Sequence, residues 1–501
     1  MIFFKTIKNT FVLLATIFFC CGYSQEKYKE QFRPQFHFTP ESKWMNDPNG
    51  MVYLNGTYHL FYQYYPDGIV WEPMHWAHSV STDLLHWKPL PIALYPDKLG
   101  WIFSGSCVID KENTAGFGAN AMIAIFTYHN DEISKSGNKN TESQGIAYSL
   151  DEGLTWTKYD ANPVLNNSGE QDFRDPKVFW HESTSKWIMT LAVGDRIKLF
   201  SSKNLKKWQF ESEFKPDNDT KELGVWECPD LFSIKSNNGE TKWVLIINHG
   251  EKAPNGGSGT RYFVGNFDGK TFQETQKDLW LDYGTDFYAG VTFSNVPNDK
   301  KILISWMSNW QYATKVPTEV WRSAMTLPRE LILKKQGFYY ALDQKIVDTF
   351  STITTSTFNK KTVEMPFSKE VDLSQTEISF DVEKNTSTIT IELSNKKGEL
   401  FLIELSNGQL TTNRMKSGKI DFSETFASKV QKMPLSGAKI TSFQLLMDKS
   451  SIEILLNDGR FSMTNLFFPK EDYSIISIKS KDKKKIKNLK INAVKSVWNK
   501  N

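Results

Sequence analysis

Three acidic residues far apart in the chain, Asp47, Asp175 and Glu227, open similar segments, each preceding two short apolar runs that read as a β-hairpin. Paired carboxyls suggest a specific chemistry. Cleaving a glycosidic bond with retention needs one carboxylate to attack the anomeric carbon and a second carboxyl that holds its proton for the leaving oxygen, with the two about 5 Å apart. An Asp-Pro step alone is an ordinary turn signal. Three acids at equivalent positions carry more information, because like charges gathered together cost stability and persist where they are used. Arg174, beside Asp175, adds a permanent cation able to orient carboxylates by forked hydrogen bonds. His75 and His78 lie three apart on a strand-like run, point partly away from each other and have no further ligand pattern, so no metal site is expected. No cofactor is expected either.

The elements that must position these acids emerge from two interleaved repeats. In the first, a short strand ends in a polar turn that leads back to an aromatic. It occurs as Ser81-Thr-Asp-Leu-Leu-His-Trp87, Ser149 to Trp156, Ser201 to Trp208 and, more weakly, Asn266 to Phe272, at intervals of 69, 52 and 64 residues. In the second, a polar or acidic residue opens a hairpin, at Asp47, Ser104, Asp175, Glu227 and Asp286. Five units of about four strands predict an all-β, five-bladed propeller over residues 30–335, since radial repetition is one way an antiparallel protein protects its sheet edges. Residues at the blade starts then line one funnel. Beyond Pro328-Arg-Glu-Leu331 tryptophan disappears until Trp498 and period-two strands take over, as at Glu377 to Val382 and Thr386 to Leu393, which predicts a β-sandwich over residues 345–501.

Bulk properties narrow the partners. Lys plus Arg total 60 against 57 for Asp plus Glu, so no single-sign field points to nucleic acid, and a neutral substrate fits better. Residues 1–24 read as a signal peptide: Lys5 and Lys8 precede an apolar run from Phe11 to Cys21, about half the length a membrane-spanning helix requires. Cleavage before Gln25 and lipid attachment at Cys20 or Cys21 both fit, and either predicts an exported protein, periplasmic, surface-anchored or extracellular. Only Cys107 and Cys228 follow, so no disulfide framework is expected.

Four motifs, Trp44-Met-Asn-Asp-Pro-Asn-Gly50, Phe103-Ser-Gly105, Phe173-Arg-Asp-Pro-Lys177 and Trp226-Glu-Cys-Pro-Asp-Leu-Phe232, resemble in identity and order those of glycoside hydrolase family 32, which includes invertases, inulinases and levanases. The run Trp306-Met-Ser-Asn-Trp-Gln-Tyr-Ala313, with Trp321-Arg322, looks most like its exo-acting fructan hydrolases. The resemblance implies that Asp47 is the nucleophile, Glu227 the acid/base and Asp175 the transition-state stabiliser. Arg174 would orient these acids. Asn46, Gln63 and Ser104 would bind sugar hydroxyls, and Trp44, Trp71, Phe103 and Trp310 would form apolar walls. Tyr65 and Glu72 stand where the family commonly has Asn and Gly, and both bear on the leaving-group side. The implied substrate is a fructose-containing oligo- or polysaccharide: levan, inulin or sucrose. Two other readings remain open: a fructosyltransferase using the same covalent intermediate, and a fructan-binding surface protein without catalysis.

Overall fold

The computed structural model describes residues 27–216, 223–384, 386–481 and 484–498. The expected signal segment lies outside them. Five antiparallel sheets of four or five strands come first, each a meander beginning with one of five central strands. These are β1 (Lys43–Leu54), β2 (Trp101–Asp110), β3 (Phe173–His181), β4 (Trp226–Lys235) and β5 (Tyr288–Thr292). Each central strand packs beside the next, and β5 lies beside β1. The fifth sheet includes the hairpin Arg329–Gln336 with Tyr339–Ile346. A two-residue strand, Trp321–Arg322, pairs in parallel with Lys43 and Trp44, tying late chain to the first sheet.

The repeated outer turns have a common construction that explains their sequence. Ser81 Oγ accepts from the Leu84 amide at 2.8 Å, Asp83 Oδ1 caps the Leu85 and His86 amides, and Trp87 Nε1 donates to Leu84 O at 3.1 Å. Leu84 itself sits at φ 70°. In the next two sheets Trp156 Nε1 donates to Gly153 O and Trp208 Nε1 to Leu205 O, with Gly153 and Leu205 also left-handed. A short Ser or Asp side chain satisfies the turn amides, and the indole closes the loop against it.

Two six-stranded sheets follow, one running from Thr354–Glu364 through Phe461–Leu466 and the other from Phe367–Glu370 through Gln431–Pro434. Their strands alternate buried and half-exposed residues, as in Thr376–Asp381 and Ile389–Ser394, and pack Ile378, Phe380, Ile391, Leu393, Ile454 and Ile476 into one core. Truncating one of these to Ala costs about 2–5 kcal/mol. The sandwich is joined to the sheets before it by buried ion pairs. Arg414 Nη1 donates to Asp286 Oδ2 at 2.6 Å, Arg329 forks onto Glu453, and His37 is held between Asp448 Oδ2 at 2.8 Å and Glu453 Oε1 at 2.7 Å. Asp286, which the repeat aligns with the three acids, is spent here: Tyr312 and Arg414 donate to it, and it faces the sandwich side. No helix among the described residues is long and apolar enough to cross a membrane.

Candidate active site

A cavity of about 660 Å³ opens where the central strands meet. Its size falls within the roughly 300–1,000 Å³ typical of small-ligand sites. Asn46, Asp47, Gln63, Trp71, Phe103, Ser104, Arg174, Asp175, Glu227 and Trp310 all line it, so residues separated by up to two hundred and more positions share one chamber. Trp44 is the exception. It is fully buried behind this wall, stacks against Trp310 at 6.1 Å and donates its indole N–H to Asn46 Oδ1 at 2.8 Å, so it braces two lining residues without facing the cavity. Tyr65 and Glu72 do not line the cavity.

The acids reach the cavity because their strands are bulged. Pairing slips beside Asp47, Phe103, Asp175, Glu227 and Tyr288, so every central strand is bulged, β1 a second time between Asn49 and Val52. A bulge interrupts the ladder and re-aims side chains. Proline is tolerated there because no ladder amide is required of it, which accounts for Pro48, Pro176 and Pro229 next to the acidic positions. Asp175 sits at φ 65°, Cys228 at 44° and Ala289 at 53°. Non-glycine residues in this region are strained by about 1–3 kcal/mol, so the surrounding contacts impose the geometry. In the Phe103-Ser-Gly105 motif the glycine is steric: a Cβ at Gly105 would lie 2.0 Å from Ile125 O.

Cys228 is the hub of the cluster. Its thiol lies 3.7 Å from Asp47 Oδ2 and 3.6 Å from Asp175 Oδ2, and its amide donates to Asp175 Oδ2 at 2.9 Å. Burial, then Asp175, Asp47 and Glu227, push the thiol well above its ordinary value, so it stays a protonated donor. Ser104 Oγ donates to Asp47 Oδ2 at 3.1 Å. Arg174 forks onto Glu227 Oε1 through Nε at 3.2 Å and Nη2 at 3.1 Å, and its Nη1 reaches Asp172 at 2.8 Å and Glu142 at 3.0 Å. Both remaining cysteines are free.

Burial raises Asp47 to about 6, with the nearby Glu227 charge adding and Asn46 and Ser104 opposing. Asp175 rises to about 7, again through burial first; Arg174 pulls it down and Glu227 pushes it up. Desolvation favours the neutral carboxyl, and crowding of like charges reinforces this. Both acids therefore change charge near neutrality.

Several participants were not picked from the sequence. Tyr288 donates its hydroxyl to Glu227 Oε2. It occupies in β5 the bulge position that acids hold in three of the other four central strands, a signal obscured by the acidic Asp286 two residues earlier. His129 and Glu142 line the cavity from facing strand ends, and Lys139, Thr141, Asp172 and Glu251 from the segments outside the strands, at positions the repeat does not mark. His78 is buried beside His59, Nε2 to Nδ1 at 3.1 Å, and His75 Nδ1 meets Pro73 O, both away from the cavity.

A catalytic-looking acid cluster at the meeting point of five sheets, followed by a sandwich, defines the class: the chain matches the N-terminal domain model of glycosyl hydrolases family 32 over residues 37–342 and the C-terminal model over 342–493. It belongs to that family. It is 42% identical to a levanase of Bacillus subtilis, over 97% of this chain and 74% of that one, and 38% identical to an extracellular exo-inulinase of Aspergillus niger over 89% and 91%. Among solved structures it is similar to an exo-inulinase from Aspergillus awamori, with a TM-score of 0.84 and 34% identity over 94% of this chain and 100% of that one. A β-fructofuranosidase from Schwanniomyces occidentalis, solved with fructosyl-erythritol, aligns with a TM-score of 0.82 and 31% identity over 93% and 98%.

Proposed function

We propose that the protein is an exported β-fructosidase that releases terminal fructose from levan, inulin or sucrose with retention, through a covalent fructosyl-enzyme. One observation carries most of the weight: Asp47 and Asp175 meet at a single thiol, and the residue preceding that cysteine, Glu227, opens onto the same cavity.

In this reading Asp47 attacks the anomeric carbon as Glu227 protonates the departing oxygen. Glu227 then takes a proton from water, which displaces the enzyme carboxylate. Ser104 and the Cys228 thiol hold Asp47 Oδ2 by two donors, fixing the line of attack. Asp175 serves the sugar hydroxyls as positive charge grows on the ring; its backbone is locked by its own amide donating to Thr127 Oγ1 at 3.0 Å. Gln63 Nε2, buried without a protein partner, is a donor available to substrate. Trp71, Phe103 and Trp310 exclude water and face the ring. The catalytic unit corresponds to the five sheets and the accessory unit to the sandwich. The leader, removed or lipidated, exports the chain.

Product analysis on sucrose, inulin and levan in parallel tests this. Fructose release proportional to substrate loss is expected. Growth of oligosaccharides at the expense of free fructose would instead establish a transferase, and levan binding without reducing-sugar release at any pH would establish a binding protein.

A further inference from the structure

Glu142 begins the strand Glu142–Ser149 at the cavity wall and is 3% exposed. A buried carboxylate is costly unless fully paired. This one is half paired. Oε1 accepts from Arg174 Nη1 at 3.0 Å and faces His129 Nδ1 at 3.4 Å, while Oε2 is buried with no hydrogen-bond partner. Burial alone would raise its carboxyl, but Arg174 and His129 outweigh that and leave it below the usual glutamate value, so it is charged during turnover. His129 in turn stacks flat on Phe103, centroids 4.3 Å apart, which fixes the ring against the cavity wall.

We infer that Glu142 is a positioning residue for the acid/base: with Asp172 it divides the charge of Arg174, so that the guanidinium orients Glu227 without stripping it of the proton it must deliver. This rests on the assignment of Glu227 as acid/base. The electrostatic logic follows from the count of charges around one cation. Three carboxylates, Glu142, Asp172 and Glu227, share Arg174, whose own two forks are occupied on both sides. A cation facing one carboxyl alone favours the ionised form, which suits a base and defeats an acid. Two further anions on the far fork weaken that pull at Glu227 while preserving the geometry. The other groups facing Glu227 are Tyr288, which donates to Oε2, and Asp47, Asp175 and Cys228; Glu251 lines the same cavity. None of these competes for Arg174 Nη1.

The test is the pH dependence of kcat/KM for sucrose in Glu142→Gln, which keeps shape and removes the charge. Its alkaline limb, which reports loss of the acid's proton in the free enzyme, should move down by on the order of one pH unit, while the acidic limb stays in place. Asp172→Asn, at a more exposed position whose left-handed backbone (φ 55°) asparagine also adopts, should move the same limb in the same direction and serves if Glu142→Gln misfolds. Superimposable profiles in both variants, or a loss of kcat/KM uniform across pH, would overturn the inference. An inactive wild-type enzyme would fail the β-fructosidase reading instead, and the two failures are distinguished by that control.

Discussion

Tyr288 donates its phenolic hydrogen to Oε2 of Glu227 while Arg174 occupies Oε1, so both oxygens of that carboxyl are held from different strands. That carboxyl is thereby kept in one orientation, and most of the expected behaviour of the site follows from such constraints.

Tyr288→Phe removes the donor on Oε2 and leaves the ring packed among Trp306 and its neighbours. We expect kcat on sucrose to fall by about 10–100-fold with little change in KM, the signature of a contact that matters most in the transition state. An unchanged kcat would show that Arg174 alone orients the acid.

Asp47→Ala and Glu227→Ala should each lower kcat by several orders of magnitude with the melting temperature preserved. Azide should partly rescue both, giving fructosyl azide of inverted configuration from Asp47→Ala and of retained configuration from Glu227→Ala. The opposite pairing of configurations, read by NMR of the products, would reverse the two assignments.

The raised values of Asp47 and Asp175 make a thermodynamic prediction. Their folded forms bind protons more tightly than the unfolded chain, whose aspartates titrate near 3.8, so the native state loses stability as pH rises from about 4 through 6 for Asp47 and 7 for Asp175. Asp175→Asn should therefore stabilise the protein at pH 7, by on the order of 1–3 kcal/mol, with the gain vanishing near pH 4. Urea titrations at the two pH values measure it. A stabilisation equal at both would exclude this cause. Activity should likewise fall as pH drops below about 6, where Asp47 protonates.

His37 predicts the opposite limb. Burial works against its charge, but hydrogen bonds to Asp448 and Glu453 raise it to about 9. The folded state thus holds a proton that the unfolded chain releases above about 6.5, so this clamp contributes fully below 6.5 and is lost as pH rises through 9. His37→Gln should lower the melting temperature at pH 6 by several degrees, with the difference from wild type shrinking by pH 10. A constant difference across that range would mean that His37 is neutral in the fold.

The acidic motifs that line the cavity and the blade plan were legible because each is local. Asp47-Pro48, Asp175-Pro176 and Glu227-Cys-Pro229 are short runs whose bulge geometry is written into their own proline and acidic residues, and the Ser-x-Asp turns closing on Trp87 and Trp156 are satisfied within eight residues. Period-two burial likewise reveals the sandwich strands without reference to partners.

Tertiary structure alone decided which polar groups neutralise one another. Asp286 looked equivalent to the acids but is claimed by Arg414, 128 positions away. Trp44 heads a motif yet supports the wall from behind. Tyr288 and Glu142 gained their places through Glu227 and Arg174 on neighbouring strands. The physical reason is range: strand periodicity and turn chemistry act over a few residues, whereas the field at a buried carboxyl is the sum over whatever side chains the packed sheets bring within a few ångströms of it.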